Sequence, residues 1–415
     1  MKAMSQTRLY LDNAATSFPK PPEVIEAMRT YAEDLGASAG RGAYREAVET
    51  GEIVTRCRRT WARLINAPAP ETVVFTLNCS EALNLAIKGC LHSGKQPGAA
   101  LPHCVATAMD HNSVLRPLNG LAARGEIEFT IVPANSPGGR VRSDDVVAAI
   151  RSNTKLICLP HASNVTGAIQ PVEEIALRLR KAVGPPVRTN NDTTPPVRLL
   201  LDAAQTGGHM PIDVQALDVD FLAMPGHKGW MGPLGTGCLY IKPGLERELT
   251  PLIEGGTGSI SERPMQPDFL PDKFESGSHN AVGIAGLGAA LTWVEERTVS
   301  ALREHDLALS ARFLERTIDV AGLKVFGPTN PQDRVAVFSV RLADLEPTEL
   351  SALLESEFGI LTRSGLHCAP LAHESLGTAA LGGTTRLSFG AFNTIADVDR
   401  CTEALAHLAG AGIKV

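Results

Sequence analysis

The chain has 415 residues, 44% hydrophobic and 20% charged, enough to bury a large core in about two to three domain-sized units. With 39 Lys plus Arg against 45 Asp plus Glu the net charge is -6, and no basic run occurs, which argues against nucleic acid and for a small-molecule substrate. No uninterrupted apolar run approaches the roughly 18 residues of a membrane span, and the opening MKAMSQTRLY lacks the apolar stretch of a secretory leader, so a cytoplasmic protein with no membrane partner is expected.

From about residue 73 to 241, short apolar runs alternate with helix-like segments: VVFT, FTIVP, KLICLP, RLLLDAA, DFLAM and GCLYI. Most are separated by ten or more residues, the spacing of an α/β layer with a mostly parallel sheet flanked by helices. The segment 183–198 carries four prolines around a polar centre and reads as an exposed insertion loop. A second irregular stretch, 254–280, gives way to the helical pattern AVGIAGLGAALTWVEER. We therefore expect a large domain over 21–284 and a smaller α+β C-terminal domain over 285–415, with VAVFSVRL and TTRLSFG as strands, and residues 1–20 as an N-terminal arm on the small domain.

The eight cysteines, at 57, 79, 90, 104, 158, 238, 368 and 401, form no CxxC pair, which argues against a disulfide framework and a zinc site. Most read as small buried hydrophobes.

Chemistry begins with MPGHKGWMGPLG, residues 224–235, where Lys228 follows the buried-strand pattern VDFLAM. A lysine at a strand end is most often a solvated cap, but flanking apolar strands carry this one inward. Desolvation lowers an amine's pKa and readies it for Schiff-base formation, the reaction that pyridoxal phosphate exploits. Asp202 ends the strand in LLLDAAQTGGHMPID, 26 residues earlier, where it could pair with a pyridinium nitrogen; its plainer reading is a helix N-cap. Ser80, in TLNCSEALNLAIKG, stands at an expected helix start suited to phosphate, and His227 could donate to the same anion. His111 could lie over the pyridine face, while Asn164 and Gln205 could reach the ring oxygen.

Six segments in order, YLDNAATSFPKPPEV, HASNVTGAIQP, LLDAAQTGGHMPIDV, GHKGWMGPLGTGCLYI, SGLHCAPLAH and TTRLSFGAFNT, resemble the cysteine desulfurase and selenocysteine lyase branch of the class V, fold-type I pyridoxal phosphate enzymes. The resemblance spans nearly the whole chain and its Cys368 segment is similar to group II. It implies Lys228 as the Schiff-base lysine, Asp202 as the pyridinium partner, His111 as the stacking residue, and Asn164 and Gln205 at the ring oxygen. Ser80, Cys79 and His227 fall at the phosphate, and Ser278 resembles a hydroxyl that reaches the phosphate of a neighbouring subunit, which implies a homodimer with shared sites. Cys368 falls on the sulfur-accepting cysteine, in a polar loop beside His367. Arg386 resembles the clamp on the substrate carboxylate, with Arg363 assisting at the thiol end.

The activity so implied converts L-cysteine to L-alanine with a persulfide on Cys368, extends to selenocysteine, and passes sulfur to an acceptor protein. Three departures bear on it: Pro225 stands where many relatives have a phosphate-binding serine, Cys79 where threonine is common, and Leu366 where group II members often have histidine. The alternatives are a class V aminotransferase or other lyase without persulfide chemistry, and a cofactor-binding protein without turnover.

Overall fold

The computed structural model describes residues 8–39, 42–92, 100–183 and 196–410. Most of the proline-rich insertion, 184–195, lies outside the described residues. The N-terminal strand β1 (Leu9–Tyr10) precedes a seven-stranded sheet made of β2 (Val73–Thr76), β3 (His103–Thr107), β4 (Glu128–Val132), β5 (Thr154–Pro160), β6 (Arg198–Asp202), β7 (Phe221–Pro225) and β8 (Gly237–Ile241). The spatial order is β2-β8-β7-β6-β5-β3-β4. Only β8 runs against its neighbours; the other pairings are parallel.

The central strands are continuous apolar runs because both sheet faces are covered. Val105, Ile157, Leu199, Leu201, Leu222 and Met224 point to one face, against α1 (Pro22–Thr30), α2 (Arg45–Leu64) and helices that follow later in the chain. Cys104, Leu156, Cys158, Leu200, Phe221 and Ala223 alternate to the other face, under α3 (Cys79–His92) and α4 (Asn112–Ala123). Period-two alternation thus builds two cores from one set of strands. The chain closes the first face with α5 (Ser143–Ala148), α6 (Val172–Val183) and α7 (Ala281–Arg297). Residue 285 lies inside α7, which packs along α1 and α2.

Beyond α8 (Val299–Thr317) a second sheet forms, with β9 (Leu323–Phe326), β10 (Val337–Leu342), β12 (Arg363–Gly365) and β13 (Thr384–Ser388) in the antiparallel order β12-β13-β10-β9. The short β11 (Ile360–Leu361) pairs in parallel with β1, so the N-terminal arm is stitched to this C-terminal layer. Helices α9 (Pro347–Phe358), α10 (Pro370–Leu376) and α11 (Ile395–Gly410) complete it, around a core that includes Phe313, Phe338, Leu387 and Phe389.

Parallel strands place their C-terminal ends on one edge, where ligand crevices form in open α/β sheets. Here that edge carries Asn78–Ser80 after β2, Met109–His111 after β3, His161–Asn164 after β5, Asp202–Gln205 after β6 and His227–Lys228 after β7.

Candidate active site

These five loops enclose a cavity of about 190 Å³, lined by Cys79, Ser80, His111, Asn164, Asp202, Gln205, Pro225, His227 and Lys228. It brings together most of the residues selected from sequence. Ser278 lies elsewhere, exposed on the wall of a second groove that it shares with Glu275 and Asn280.

The turn that carries Lys228 is held from two sides. From below, Ser17 Oγ donates to the Lys228 carbonyl at 2.9 Å and Lys20 Nζ to the His227 carbonyl at 2.8 Å. From the side, the Gly207–Gly208 backbone packs directly on Gly229: a Cβ added at Gly208, which has φ +81°, would lie 2.2 Å from the Gly229 carbonyl carbon. This contact sets the Asp202–Gln205 loop against the lysine turn. Burial, and next Arg386, lower the Lys228 pKa, while Asp202 and Cys79 oppose the shift. The amine is therefore easier to deprotonate than an exposed lysine.

Asp202 is buried, and burial raises its pKa. Its Oδ1 accepts from the Ala204 N–H at 2.9 Å and lies 3.7 Å from Cys79 Sγ, both of which favour the carboxylate. The N-cap reading of Asp202 is met only by this local turn, because no helix begins there. His111 caps α4: its Nδ1 accepts from the Ser113 N–H at 3.0 Å, which leaves the ring proton on Nε2. Burial, followed by Lys228, depresses its pKa to about 4, so the ring is neutral near pH 7. His227 is likewise depressed to about 4 by burial first, and its buried Nδ1 has no partner among the described residues. A buried, unpaired ring nitrogen calls for a ligand atom.

The opening of α3 faces the same cavity. Asn78 Oδ1 accepts from the Glu81 N–H at 3.0 Å, and Ser80 Oγ shares a 2.6 Å hydrogen bond with Ser113 Oγ. The first N–H groups of a helix lack intrahelical acceptors and favour an anion. An anion seat, a carboxylate and an amine gathered around one cavity are the complement of a phosphorylated pyridine aldehyde.

Gln205 Nε2 donates to the Ala14 carbonyl at 3.2 Å, and Asn164 Nδ2 to the His367 carbonyl at 2.6 Å. Each cavity amide is thus anchored to another part of the chain. The second of these bonds, with Asn112 N–H donating to the Cys368 carbonyl at 2.8 Å, ties the C-terminal layer to the cavity rim. His367 and Cys368 have φ of +49° and +59°, an uncommon conformation for residues with a Cβ. Cys368 is exposed, and Arg363 Nη2 lies 3.5 Å from its Sγ. Of the other cysteines, Cys79 is half-buried and the remaining six are buried, in keeping with their reading as core residues.

Arg386 on β13 is buried beside these groups, with Nη1 donating to the Asn164 carbonyl at 3.2 Å. Its Nη2 donates to Asp12 Oδ1 at 2.6 Å, and its Nε has no partner among the described residues. Asp12 was not singled out from sequence, although it stands in the quoted LDNAAT segment; a lone acid after a two-residue strand carries no local signal for a partner at position 386. Asp110 was also missed. It is fully buried with Oδ2 taken by Thr107 and Oδ1 without a partner among the described residues, and burial pushes its carboxyl up to about 8.

The class-V aminotransferase family model matches residues 9–401. The chain belongs to that family. A probable cysteine desulfurase of Methanothermobacter thermautotrophicus is 33% identical over 406 residues, 97% of this chain and 95% of that protein. Among solved structures, a cysteine desulfurase of Thermococcus onnurineus superposes with a TM-score of 0.87 at 30% identity, covering 97% and 95% of the two chains. The cysteine desulfurase CsdA of Escherichia coli gives 0.82 at 27% identity with the same coverage. Membership in the class-V family, with a mostly parallel sheet and an attached smaller layer, agrees with the fold expected from sequence. Among the described residues no helix is long and apolar enough to cross a membrane.

Proposed function

We propose that the protein is a cysteine desulfurase that uses pyridoxal 5'-phosphate, converts L-cysteine to L-alanine and holds the sulfur as a persulfide on Cys368. The observation that carries this reading is the exposed thiol of Cys368 on a strained loop, hydrogen-bonded to the two loops that bear His111 and Asn164. An aminotransferase has no use for a thiol there. The desulfurase relatives at 30–34% identity over nearly the full length support the same reading.

Lys228 would hold the cofactor, with Asp202 at the ring nitrogen, His111 over the ring and Gln205 and Asn164 toward its oxygen. Ser80 and His227 would hold the phosphate, with Cys79 beside Asp202. When bound, the cofactor supplies an electron sink for a carbanion beside the substrate amine. Lys228, with its lowered pKa, takes the α proton. Arg386 binds the substrate carboxylate through donors that Asp12 does not occupy, and Arg363 sits at the thiol end. The Cys368 thiolate attacks the substrate sulfur: the carbon–sulfur bond breaks, its electron pair stays with carbon, which gains a proton as the alanine methyl, and a sulfur–sulfur bond forms on Cys368. Selenocysteine is the second substrate, with less dependence on Cys368 because selenium leaves more readily.

The exposed position of Ser278, away from its own cavity, suits a homodimer in which it serves the neighbouring site. The exposed Cys368 suits delivery to a sulfur-acceptor protein, and eight free cysteines suit a reducing cytoplasm. Anaerobic incubation with L-cysteine, L-selenocysteine and L-cysteine sulfinate, with alanine and sulfide or selenide measured, tests the reading. Alanine with one equivalent of persulfide on Cys368 is expected; a keto acid in place of alanine would overturn it.

A further inference from the structure

Cys368 is exposed and borders a space that adjoins the lysine cavity without itself lining that cavity. A second space of about 560 Å³, within the range of small-molecule sites, is bounded by Cys368, His111, Ser80, Lys88, Arg116 and Arg124, among others. It shares Ser80, His111 and Ser113 with the lysine cavity, so the two spaces meet at the His111 ring. No carboxylate lines it among the described residues. Arg124 is neutralised by Glu126 at 2.6 Å, whereas Lys88 and Arg116 have no ion pair among the described residues. In a chain of net charge -6, two uncompensated cations beside an exposed thiol form a local positive field, to which Arg363, 3.5 Å from the sulfur, adds.

We infer that this vestibule is a binding site for a small anionic thiol, which enters charge-first and accepts sulfur directly from Cys368. The sulfur-transfer part of this inference rests on the desulfurase reading; the anion site does not. In the transfer, the acceptor thiolate attacks the outer sulfur of the Cys368 persulfide. A new sulfur–sulfur bond forms on the acceptor, the bond to Cys368 breaks, and Cys368 leaves as thiolate with the electron pair. No further oxidant or reductant is required.

The anion site is tested on the holoprotein without turnover, by alkylating Cys368 with anionic iodoacetate and neutral iodoacetamide and following each adduct by mass spectrometry. The ratio of the two rates cancels the fraction of Cys368 present as thiolate and reports the local potential. Relative to a neutral free thiol such as N-acetylcysteinamide, the ratio should favour iodoacetate by about tenfold at low salt. It should fall at least about fivefold in the Lys88→Glu, Arg116→Glu double variant, and also in high salt. Both side chains are solvent-accessible, so an unchanged melting temperature is expected in the variant. A ratio equal to that of the free thiol, or one untouched by the double variant, would overturn the anion site.

For transfer, the KM for 2-mercaptoethanesulfonate should rise about tenfold in the double variant, while kcat/KM for 2-mercaptoethanol changes less than about twofold. Equal losses for both acceptors would overturn the selectivity. A biased alkylation ratio in a protein that releases no alanine from L-cysteine would leave the anion site standing and remove the desulfurase reading.

Discussion

Two side chains decide how the substrate end of the site behaves. Cys368 supplies the only exposed thiol among the described residues, so Cys368→Ala should cut alanine release from L-cysteine by orders of magnitude while the cofactor absorbance stays. Selenocysteine turnover should fall less; equal rates for variant and wild type with L-cysteine would refute the persulfide route. Arg386 is the other. Its buried guanidinium has one carboxylate partner, Asp12, and burial already lowers its pKa. Asp12→Asn leaves a buried cation uncompensated, which should cost about 3 kcal/mol. The unpaired cation should then recruit solution anions, so sulfate should raise the melting temperature of the variant more than that of the wild type. At the cofactor end, borohydride reduction of the holoprotein followed by peptide mapping should find the added mass on Lys228, the one lysine lining the cavity.

Loops on separate strands acquire fixed relative positions only where backbones touch. The Gly208–Gly229 contact is such a place, and it joins the Asp202 loop to the Lys228 turn. Gly208→Ala therefore combines a left-handed φ of +81° with a 2.2 Å collision against backbone, which a rotamer change cannot relieve. Gly125→Ala is the matched control: φ is +67° but nothing lies within 4 Å of the new Cβ. The control should lose about 1 kcal/mol by thermal melting, whereas Gly208→Ala should lose several times that and bind cofactor weakly. Similar losses in the two variants would show that the contact does not hold the site.

Across the whole molecule, burial of ionisable groups links stability to pH. Burial depresses His161 and His373 to about 4; both lie outside the cavity lining, with Nδ1 bonded to Thr206 at 3.0 Å and Thr378 at 2.8 Å. Between about 6.5 and 4 the unfolded chain binds protons that the folded chain refuses, so stability rises with pH through this window and is lost as pH falls through it. Each histidine contributes on the order of 3 kcal/mol to that slope. Asp110, raised to about 8, acts in the opposite sense: its protonated form is favoured in the fold, and the associated stability declines as pH rises toward 8. With four histidines depressed to about 4, His111 and His227 among them, against the raised carboxyls of Asp110 and Asp202, the melting temperature should climb from pH 4 to 6.5. It should climb less steeply in the His161→Gln, His373→Gln double variant, and Asp110→Asn should lose less stability than the wild type between pH 6.5 and 8.5. A flat wild-type profile would show that these groups are solvated in solution.

Residue order alone determined the strand-and-helix alternation, the strand-end positions of Asp202 and Lys228 and the polar loop at Cys368, because each depends on local spacing and side-chain type. The apolar runs were legible since strands covered on both faces need no polar alternation. What local pattern could not show is which distant groups meet. Asp12 finds Arg386 across 374 positions because the chain after β1 bridges β13 at Ser388, and Asn164 finds the His367 carbonyl because a loop of the large sheet abuts the C-terminal layer. Ser278, expected to serve the site of a neighbouring subunit, stands apart from the cavity of its own chain. Lys88 and Arg116 look like ordinary solvated charges on their helices until α3 and α4 pack side by side and the Cys368 loop closes the space between them. Helical and strand periodicity act over a few residues, but the field at a thiol sums charges brought close by folding, and only the tertiary structure decides which charges those are.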